Sequence, residues 1–192
     1  MKVIKLHKNR LLNEKDTVML LQQNCRETQH KVYLHYAPKM LGVCRQYIKD
    51  VQQAEEVLLN GFFKVFTKIN RFNSNGSFEG WIRKIMVNEC ISFLRVKKNR
   101  FQITEDITEN YFVEETNNID NQIQNTDYLQ QLIDCLKPEL RVVFNLYVVE
   151  EYKHKEIAKM LNITENASKL RYRKAKSKLQ ELLKNKNINY GK

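Results

Sequence analysis

Residues 154–183 read HKEIAKMLNITENASKLRYRKAKSKLQELL, and this stretch decides the fold. Apolar residues at helical spacing predict a helix that ends at about Leu161. Two residues then make a turn, Thr164 is a typical helix cap, and a second, long helix is predicted to run to about Lys184. Two helices separated by a short turn, the second of them basic, predict a helix-turn-helix.

The second helix of this motif has one apolar side and one cationic side. A stripe at steps of four and three, which begins with Ser168, Tyr172 and Ala175, is expected to pack on the first helix. The cationic side would meet the major groove and its flanking phosphates, and a solvated charged surface is the alternative. The residues of this side predicted to contact duplex DNA are Glu165, Asn166, Lys169, Arg171, Arg173 and Lys174.

The composition favours an all-α fold and a polyanionic partner. The 192 residues include 33 Lys and Arg against 22 Asp and Glu, a net charge of +11, and only 5 Gly and 2 Pro. The apolar run 142–149 is far shorter than the roughly 20 residues of a membrane-spanning helix. The amino-terminal residues lack the pattern of a secretory signal. We therefore expect a cytoplasmic protein without stable membrane insertion.

Charge divides the chain into three parts. Residues 1–100 have a net charge of +11, residues 101–126 have six acidic side chains and no basic one, and residues 127–192 have a net charge of +6. The middle part is rich in Asn and Thr and lacks clear periodicity, as is typical of a linker. The prediction is two small helical domains, 1–100 and 127–192, joined by an acidic linker.

The first domain is predicted to contain a four-helix core. A short helix capped by Asp16 precedes it, and Pro38 is expected to divide a helix over 28–37 from one over 39–49. The remaining predictions are a helix from about 52 to 69 opened by Asp50, a turn over 71–76, and a helix from Ser77 to about Lys98.

Aromatic and polar residues come together around the turn before the Ser77 helix. Phe72, Phe78 and Trp81 flank a glycine-containing loop, which is the composition of a platform for single-stranded nucleic acid, although aromatic residues at helical spacing are more often core. The cationic and polar residues beside them, which could meet phosphates or a base edge, are Arg83, Lys84, Asn88, Ser92 and Arg95.

Neither the acidic residues nor the cysteines indicate catalysis or metal binding. The carboxylates near the start of one predicted helix are Asp50, Glu55 and Glu56. They are explained either by stabilisation from the helix macrodipole or by a patch that docks another protein. No His, Lys or nucleophile lies at a spacing that indicates acid–base catalysis. His30 and His35 share a helical face poorly, and no phosphate-binding glycine loop occurs, so no metal or cofactor is expected. The four cysteines are predicted to be reduced core thiols.

Three stretches, taken in order, carry a family resemblance. Residues 54–62 read AEEVLLNGF, residues 78–88 read FEGWIRKIMVN, and HKEIA at 154–158 is followed by TEN at 164–166. This combination resembles the extracytoplasmic-function group of bacterial RNA polymerase sigma factors over about residues 16–98 and 127–183. The departures include Leu59 and Asn60, where the family usually has Gln and an acid.

The resemblance implies a protein that directs core RNA polymerase to promoters and performs no catalysis. The first domain would dock on the polymerase clamp helices and open the minus-ten element, the second would read the minus-thirty-five element near the flap, and the linker would follow the RNA path. An anti-sigma partner is also implied.

The resemblance also implies which residues form each site. Polymerase-docking residues would be Asp50, Glu55, Glu56, Leu59, Phe62 and Phe63, and minus-ten residues would be Phe72, Asn73, Ser77, Trp81, Arg83, Lys84, Asn88 and Arg95. Leu170, where the family often has Ser, would join the minus-thirty-five residues through a thymine methyl.

Two other classes of function remain open from the residues alone. One is an autonomous helix-turn-helix regulator that binds duplex DNA without polymerase. The other is a nucleic-acid enzyme, for which no pair of carboxylates stands out.

Overall fold

The computed structural model describes residues 13–104 and 125–189, and every regular element within these ranges is helical. This confirms the predicted all-α class. The α-helices are α1 (Glu14–Gln22), α2 (Arg26–Tyr47), α3 (Val51–Thr67), α4 (Phe78–Thr104), α5 (Asn125–Asp134), α6 (Pro138–Val148), α7 (His154–Leu161) and α8 (Glu165–Asn189), with a 3-10 helix at Ile69–Arg71 between α3 and α4.

The chain forms two compact units. The first takes in the described residues up to Cys44 together with Asp50–Cys90, and the second takes in Arg45–Lys49 with the described residues from Ile91 onward. Helix α4 extends to Thr104 and α5 begins at Asn125, so both helices enter the stretch predicted to be linker. The rest of that stretch lies outside the described residues.

Local capping explains where several helices begin. The side-chain oxygens of Asp50, Ser77 and Thr164 each accept a hydrogen bond from the backbone N–H three residues further on, at 2.8, 3.1 and 3.1 Å, as predicted. The prediction for α1 was wrong. Its cap is Asn13, whose Oδ1 accepts from the backbone N–H of Asp16 at 2.9 Å.

Pro38 lies inside the continuous helix α2, so the predicted division of this stretch into two helices was wrong. Proline removes the hydrogen bond to the carbonyl of Leu34, and both residues are exposed, so that water can replace the lost donor. Val32 and Met40, on either side of the proline, are fully buried. Both halves of α2 are therefore held against one core, and this packing outweighs the local cost.

Gly61 permits a close approach between α3 and α4. A Cβ at this buried position would overlap the sulfur of Met86, which is itself fully buried on α4. Glycine inside a helix costs about 1 kcal/mol relative to alanine. The approach it allows brings Val57, Phe62 and Ile82 into the same core, in which all three are buried.

The second unit is built around α8. Its core contains Val143, Leu146, Ile157 and Ala175, all fully buried. Helix α8 packs more extensively on α6 than on α7. The sequence pattern had assigned the apolar stripe of α8 to the first helix of the helix-turn-helix alone, and that assignment was incomplete.

The four cysteines are free thiols in different surroundings. Cys44 and Cys90 are buried in the core of the first unit, as predicted. Cys25 is half-buried and lies just before α2, and Cys135 is exposed just after α5. The prediction of a core thiol was therefore wrong for these two residues, because both lie just outside the helices that their apolar neighbours form.

Among the helices of the described residues, none is both long and apolar enough to cross a bilayer.

Candidate nucleic-acid and docking surfaces

The outer side of α3 carries exposed apolar and acidic residues together. Leu59 is 57% exposed and Phe63 is 68% exposed, and they lie four residues apart on one side of the helix. Glu55 and Glu56 are also exposed, one turn earlier. We call Glu55, Glu56, Leu59 and Phe63 the docking face. Large apolar residues that are clustered and solvent-exposed on a helix are typical of a surface that another protein covers.

Two residues predicted for polymerase docking also have structural roles. Phe62 is 2% exposed, and its ring packs 4.9 Å from Tyr33 and 5.9 Å from Phe66 in the core. Asp50 is exposed, but one of its carboxylate oxygens caps α3 through Gln53. Phe62 follows Leu59 by three residues and precedes Phe63 by one, which turns it about 60° from Leu59 and about 100° from Phe63 around the helix axis.

An aromatic cluster supports the loop over 72–77. The rings of Phe72 and Phe78 lie 5.4 Å apart, and Trp81 lies 5.5 Å from Phe72 and is stacked on Phe78 at 5.9 Å. Phe72 is 7% exposed and Phe78 is buried, whereas Trp81 is half-buried. Of the two aromatic residues predicted to contact DNA here, Phe72 therefore turns its ring into the core, and Trp81 retains an accessible part.

The loop itself exposes its polar side chains. Asn73 and Ser77 are exposed, and both also order the backbone: Asn73 Oδ1 accepts from the N–H of Asn75 at 3.2 Å, and Ser77 caps α4. Gly76 has φ of +109°, a conformation that residues with a side chain rarely adopt. The loop is thus a short, locally hydrogen-bonded structure beside the edge of Trp81.

Polar residues follow this loop along α4. Lys84, Asn88 and Arg95 are exposed, and Arg83 is half-buried. The one carboxylate between Lys84 and Arg95, Glu89, turns toward α3, where it accepts a hydrogen bond from Lys64 at 2.7 Å. Lys64 therefore offsets the charge of Glu89, and the exposed side of α4 between Lys84 and Arg95 is cationic and polar.

The helix-turn-helix geometry is present in the second unit. Asn162 ends α7 in the left-handed conformation, with φ and ψ both 52°, and the N–H of Ile163 donates to the carbonyl of Ala158 at 3.0 Å. Thr164 then caps α8. Asparagine tolerates this backbone conformation better than most residues, which explains why the turn occurs here.

The predicted DNA-reading residues of α8 lie on its outer side. Six of the seven are exposed and Arg171 is half-buried. Lys169 donates to Glu165 at 2.6 Å, and this hydrogen bond together with the lysine charge lowers the pKa of the glutamate. The exposed members are Glu165, Asn166, Lys169, Leu170, Arg173 and Lys174.

A groove between α6 and α8 adds a residue that the sequence pattern missed. It has a volume of about 450 Å³, and Lys137 on the α6 side faces it together with Arg171 and Lys174 of α8. Lys137 is exposed at the residue before α6. Nothing in the periodicity of α6 places it beside α8, because that proximity depends on how the two helices pack.

The side chains His30 and His35 are exposed on α2. In the two described ranges, no group of three or more His, Cys, Asp or Glu side chains is arranged so that it could hold a metal ion.

Two family descriptions match the chain. Residues 32–100 match sigma-70 region 2, and residues 126–179 match sigma-70 region 4. The first match contains the docking face, the loop over 72–77 and most of α4, and the second contains α6, α7 and the reading side of α8.

Curated relatives extend this similarity across both units. The ECF RNA polymerase sigma factor SigW of Bacillus subtilis is 26% identical over 161 residues, which cover 78% of this chain and 85% of SigW. The ECF RNA polymerase sigma factor SigM of the same organism is 22% identical over 162 residues, covering 84% of this chain and 98% of SigM.

A solved structure shares the fold. The sigma factor RpoE of Bartonella quintana, determined in complex with the anti-sigma factor NepR, superimposes with a TM-score of 0.52 at 17% identity. The match covers 81% of this chain and 96% of that one.

Proposed function

We propose, on the premise that this chain belongs to the extracytoplasmic-function group of the sigma-70 family, that it reads two promoter elements and assists strand opening while bound to core RNA polymerase. Its family acts with RNA polymerase in promoter-directed transcription initiation. One observation carries the finer proposal. A cationic helix-turn-helix and a separate exposed apolar and acidic face occur in the same chain, and only the first suits DNA.

The docking face of α3 is assigned to the polymerase. Leu59 and Phe63 supply apolar area, and Glu55 and Glu56 would meet basic residues of the partner. In the family this helix docks on the clamp helices, and the flap holds the second domain. Exposed apolar residues flanked by carboxylates favour a basic protein surface over DNA, whose phosphates would repel Glu55 and Glu56.

The loop over 72–77 and α4 are assigned to the minus-ten element. A base that leaves the duplex needs an aromatic face and polar groups around it, which Trp81, Asn73 and Ser77 offer. Lys84 would hold the backbone, and Arg95 would join it after its Nη2 leaves the carbonyl of Met160, to which it donates at 2.8 Å. Phe72 supports this site from the core. Asn88 is exposed on the same helix and can read a base edge.

Helix α8 is assigned to the minus-thirty-five element in duplex form. Its exposed amino-terminal residues Glu165, Asn166 and Lys169 would face base edges, and Leu170 could contact a thymine methyl. Arg173 and Lys174 lie further along and suit phosphates, to which we add Lys137 because it shares a groove with Lys174.

The resemblance adds three further proposals. The acidic linker would follow the polymerase RNA path, an anti-sigma protein would control the chain, and the protein would act in the cytoplasm as a non-catalytic factor. Residues 105–124 of the linker lie outside the described residues.

Run-off transcription decides between this function and an autonomous regulator. Purified core polymerase is mixed with a promoter library with and without this chain. Transcripts from specific start sites that require the chain are the expected result. Tight sequence-specific DNA binding by the chain alone, with no effect on polymerase, would support the autonomous regulator instead.

Replacing Arg173 or Lys169 with Ala is expected to weaken binding of the holoenzyme to the upstream duplex. Loss of a base contact weakens the binding free energy by about 1–3 kcal/mol. Loss of a phosphate contact lowers the slope of log affinity against log salt concentration by about one. Lys169 forms an ion pair with Glu165, which partly neutralises its charge. Replacement of Lys169 should therefore change the salt dependence of binding less than replacement of Arg173 does. Lys159→Ala, an exposed cation of α7, is the matched control. Unchanged affinity and salt dependence in both α8 variants would exclude α8 as a reader.

Replacing Trp81 with Ala is expected to reduce strand opening while polymerase binding is retained. Loss of base stacking costs about 1–3 kcal/mol per base, and permanganate reactivity of the bubble measures the open fraction. Because Trp81 also packs on Phe72 and Phe78, the exposed Asn88→Ala provides a second variant without core contacts. Equal loss of polymerase binding and of opening in both variants would assign this region to folding or docking.

A further inference from the structure

Three helices of the second unit meet at the ring of His154. This residue is the first of α7, and the ring of Tyr147 from α6 stacks on it at 4.4 Å with an interplanar angle of 9°. Tyr172 of α8 lies 5.8 Å from His154 and 4.5 Å from Tyr147. The imidazole is therefore held in place by aromatic contacts from both neighbouring helices.

A buried hydroxyl of α8 bonds to this ring. Ser168 is 0% exposed, and its Oγ is hydrogen-bonded to Nδ1 of His154 at 3.0 Å. Ser168 stands in the stripe of α8 that otherwise packs apolar atoms, with Ala175 two turns further on. A hydroxyl buried at such a position is costly unless it has a hydrogen-bond partner. His154 provides that partner.

We propose that His154 is a positioning residue for DNA recognition, which sets the rotation of α8 about its own axis through the hydrogen bond to Ser168. Successive residues of a helix are about 100° apart, so any rotation that turns Ser168 toward water swings Lys169 and Arg173 by the same angle. The inference rests on the proposed reading of duplex DNA by α8. It adds that the hydrogen bond between His154 and Ser168 orients the DNA-contacting residues of α8.

The surroundings of His154 support the link to the reading side. Burial lowers the pKa of this imidazole, and the charge of Lys169 lowers it further, while Glu165 opposes both. Lys169 and Glu165 are the exposed ion pair at the start of α8. The ring therefore lies near enough to the first turn of the recognition helix for the charges of that turn to shift its pKa.

Removal of the imidazole leaves Ser168 with two poor alternatives. The hydroxyl can stay buried without its partner, or α8 can turn to expose it and misdirect Lys169. Removal of the hydroxyl as well takes away both alternatives, because two apolar groups of similar shape replace the hydrogen-bonded pair. His154→Phe with Ser168→Ala should therefore behave more like the wild type than His154→Phe alone. Phenylalanine retains a ring to stack on Tyr147.

The test measures two DNA affinities of the holoenzyme. The probes are a duplex selected from a random library by the wild-type holoenzyme and a scrambled duplex of equal length, bound in the same salt. His154→Phe is expected to lower affinity for the selected duplex by about tenfold. It should leave the scrambled duplex within about twofold, because phosphate contacts dominate non-specific binding. The double variant should return to within about threefold of the wild type. His30→Phe, an exposed histidine of α2, is the matched control and should have no effect.

Three results would overturn the inference alone: His154→Phe binds the selected duplex as the wild type does, both duplexes lose affinity in parallel, or the double variant is no better than the single one. A parallel loss would identify His154 as part of the general stability of the unit. If the wild-type holoenzyme selects no sequence at all, the proposed function fails, and the inference falls with it.

Discussion

Replacement of Arg141 with Met is expected to lower the free energy of unfolding of the second unit by about 3–5 kcal/mol. The Arg141 side chain is 4% exposed. Its Nε donates to the carbonyl of Ile133 at 3.0 Å, and its Nη2 donates to the carbonyls of Asp134 and Leu136 at 2.9 and 3.1 Å. These carbonyls belong to the end of α5 and the turn after it, where a helix leaves acceptors without intrahelical partners. Methionine fills similar space and satisfies none of them.

The charge of Arg141 adds to this effect. Burial lowers the pKa of its guanidinium, and the Asp134 carboxylate, 3.6 Å from Nη1, opposes that shift. Arginine nevertheless stays protonated in proteins. Its loss would therefore leave Arg45, 3.2 Å away, as the remaining ion-pair partner of the half-buried Asp134, in addition to removing the Arg141 donor from the carbonyls of Asp134 and Leu136.

Urea unfolding followed by circular dichroism measures the loss. Arg173→Met is the matched control, since it makes the same chemical change at an exposed position of the same unit and should alter stability by no more than about 0.5 kcal/mol. Equal small effects in the two variants would mean that the carbonyls at the end of α5 find other donors.

Replacement of Phe63 with Ala is expected to weaken binding to core RNA polymerase by about 30-fold or more. Truncation of a large aromatic anchor at the centre of a protein interface typically costs 2 kcal/mol or more. Phe63 is 68% exposed in this chain, so its removal should leave the fold unchanged. Leu59→Ala, one turn earlier on the docking face, should act in the same direction with a smaller effect, because it removes less apolar area.

The measurement is equilibrium binding of the purified chain to core polymerase, with thermal unfolding of each variant as a check on folding. Met19→Ala is the matched control, because Met19 is 51% exposed on α1, a different helix from the one that carries the docking face. Polymerase binding that survives the loss of both Leu59 and Phe63 would remove α3 from the docking proposal. Run-off transcription that also survives would then assign recruitment to another surface.

Features that depend on neighbouring residues could be predicted from the sequence. Asp50, Ser77 and Thr164 cap helices through backbone groups three residues away, so the necessary information lies within one turn. The helix-turn-helix was predicted for the same reason, since Asn162 and Thr164 suffice to end one helix and begin the next. The exposed side of α8 followed from its period, because charged residues are rarely buried without partners.

Features that depend on distant packing could not be predicted. The break expected at Pro38 did not occur, because core contacts at Val32 and Met40 hold α2 together across it. The neighbours Phe62 and Phe63 look alike in the sequence, yet one is buried and the other exposed. The helical period separates them, because Phe62 continues the buried stripe of Val57, Leu58 and Val65, whereas the family resemblance had implied a docking role for both.

The sequence by itself determined the helical class, the caps and the charged surfaces, since these follow from hydrogen bonds and periodicity within a few residues. The tertiary structure alone decided that α8 rests mainly on α6. It also decided that Lys137 faces the reading helix and that Ser168 finds His154 fourteen residues away. These pairings join residues from different helices, and their geometry is set by how side chains fill the space between helices, which no local pattern encodes.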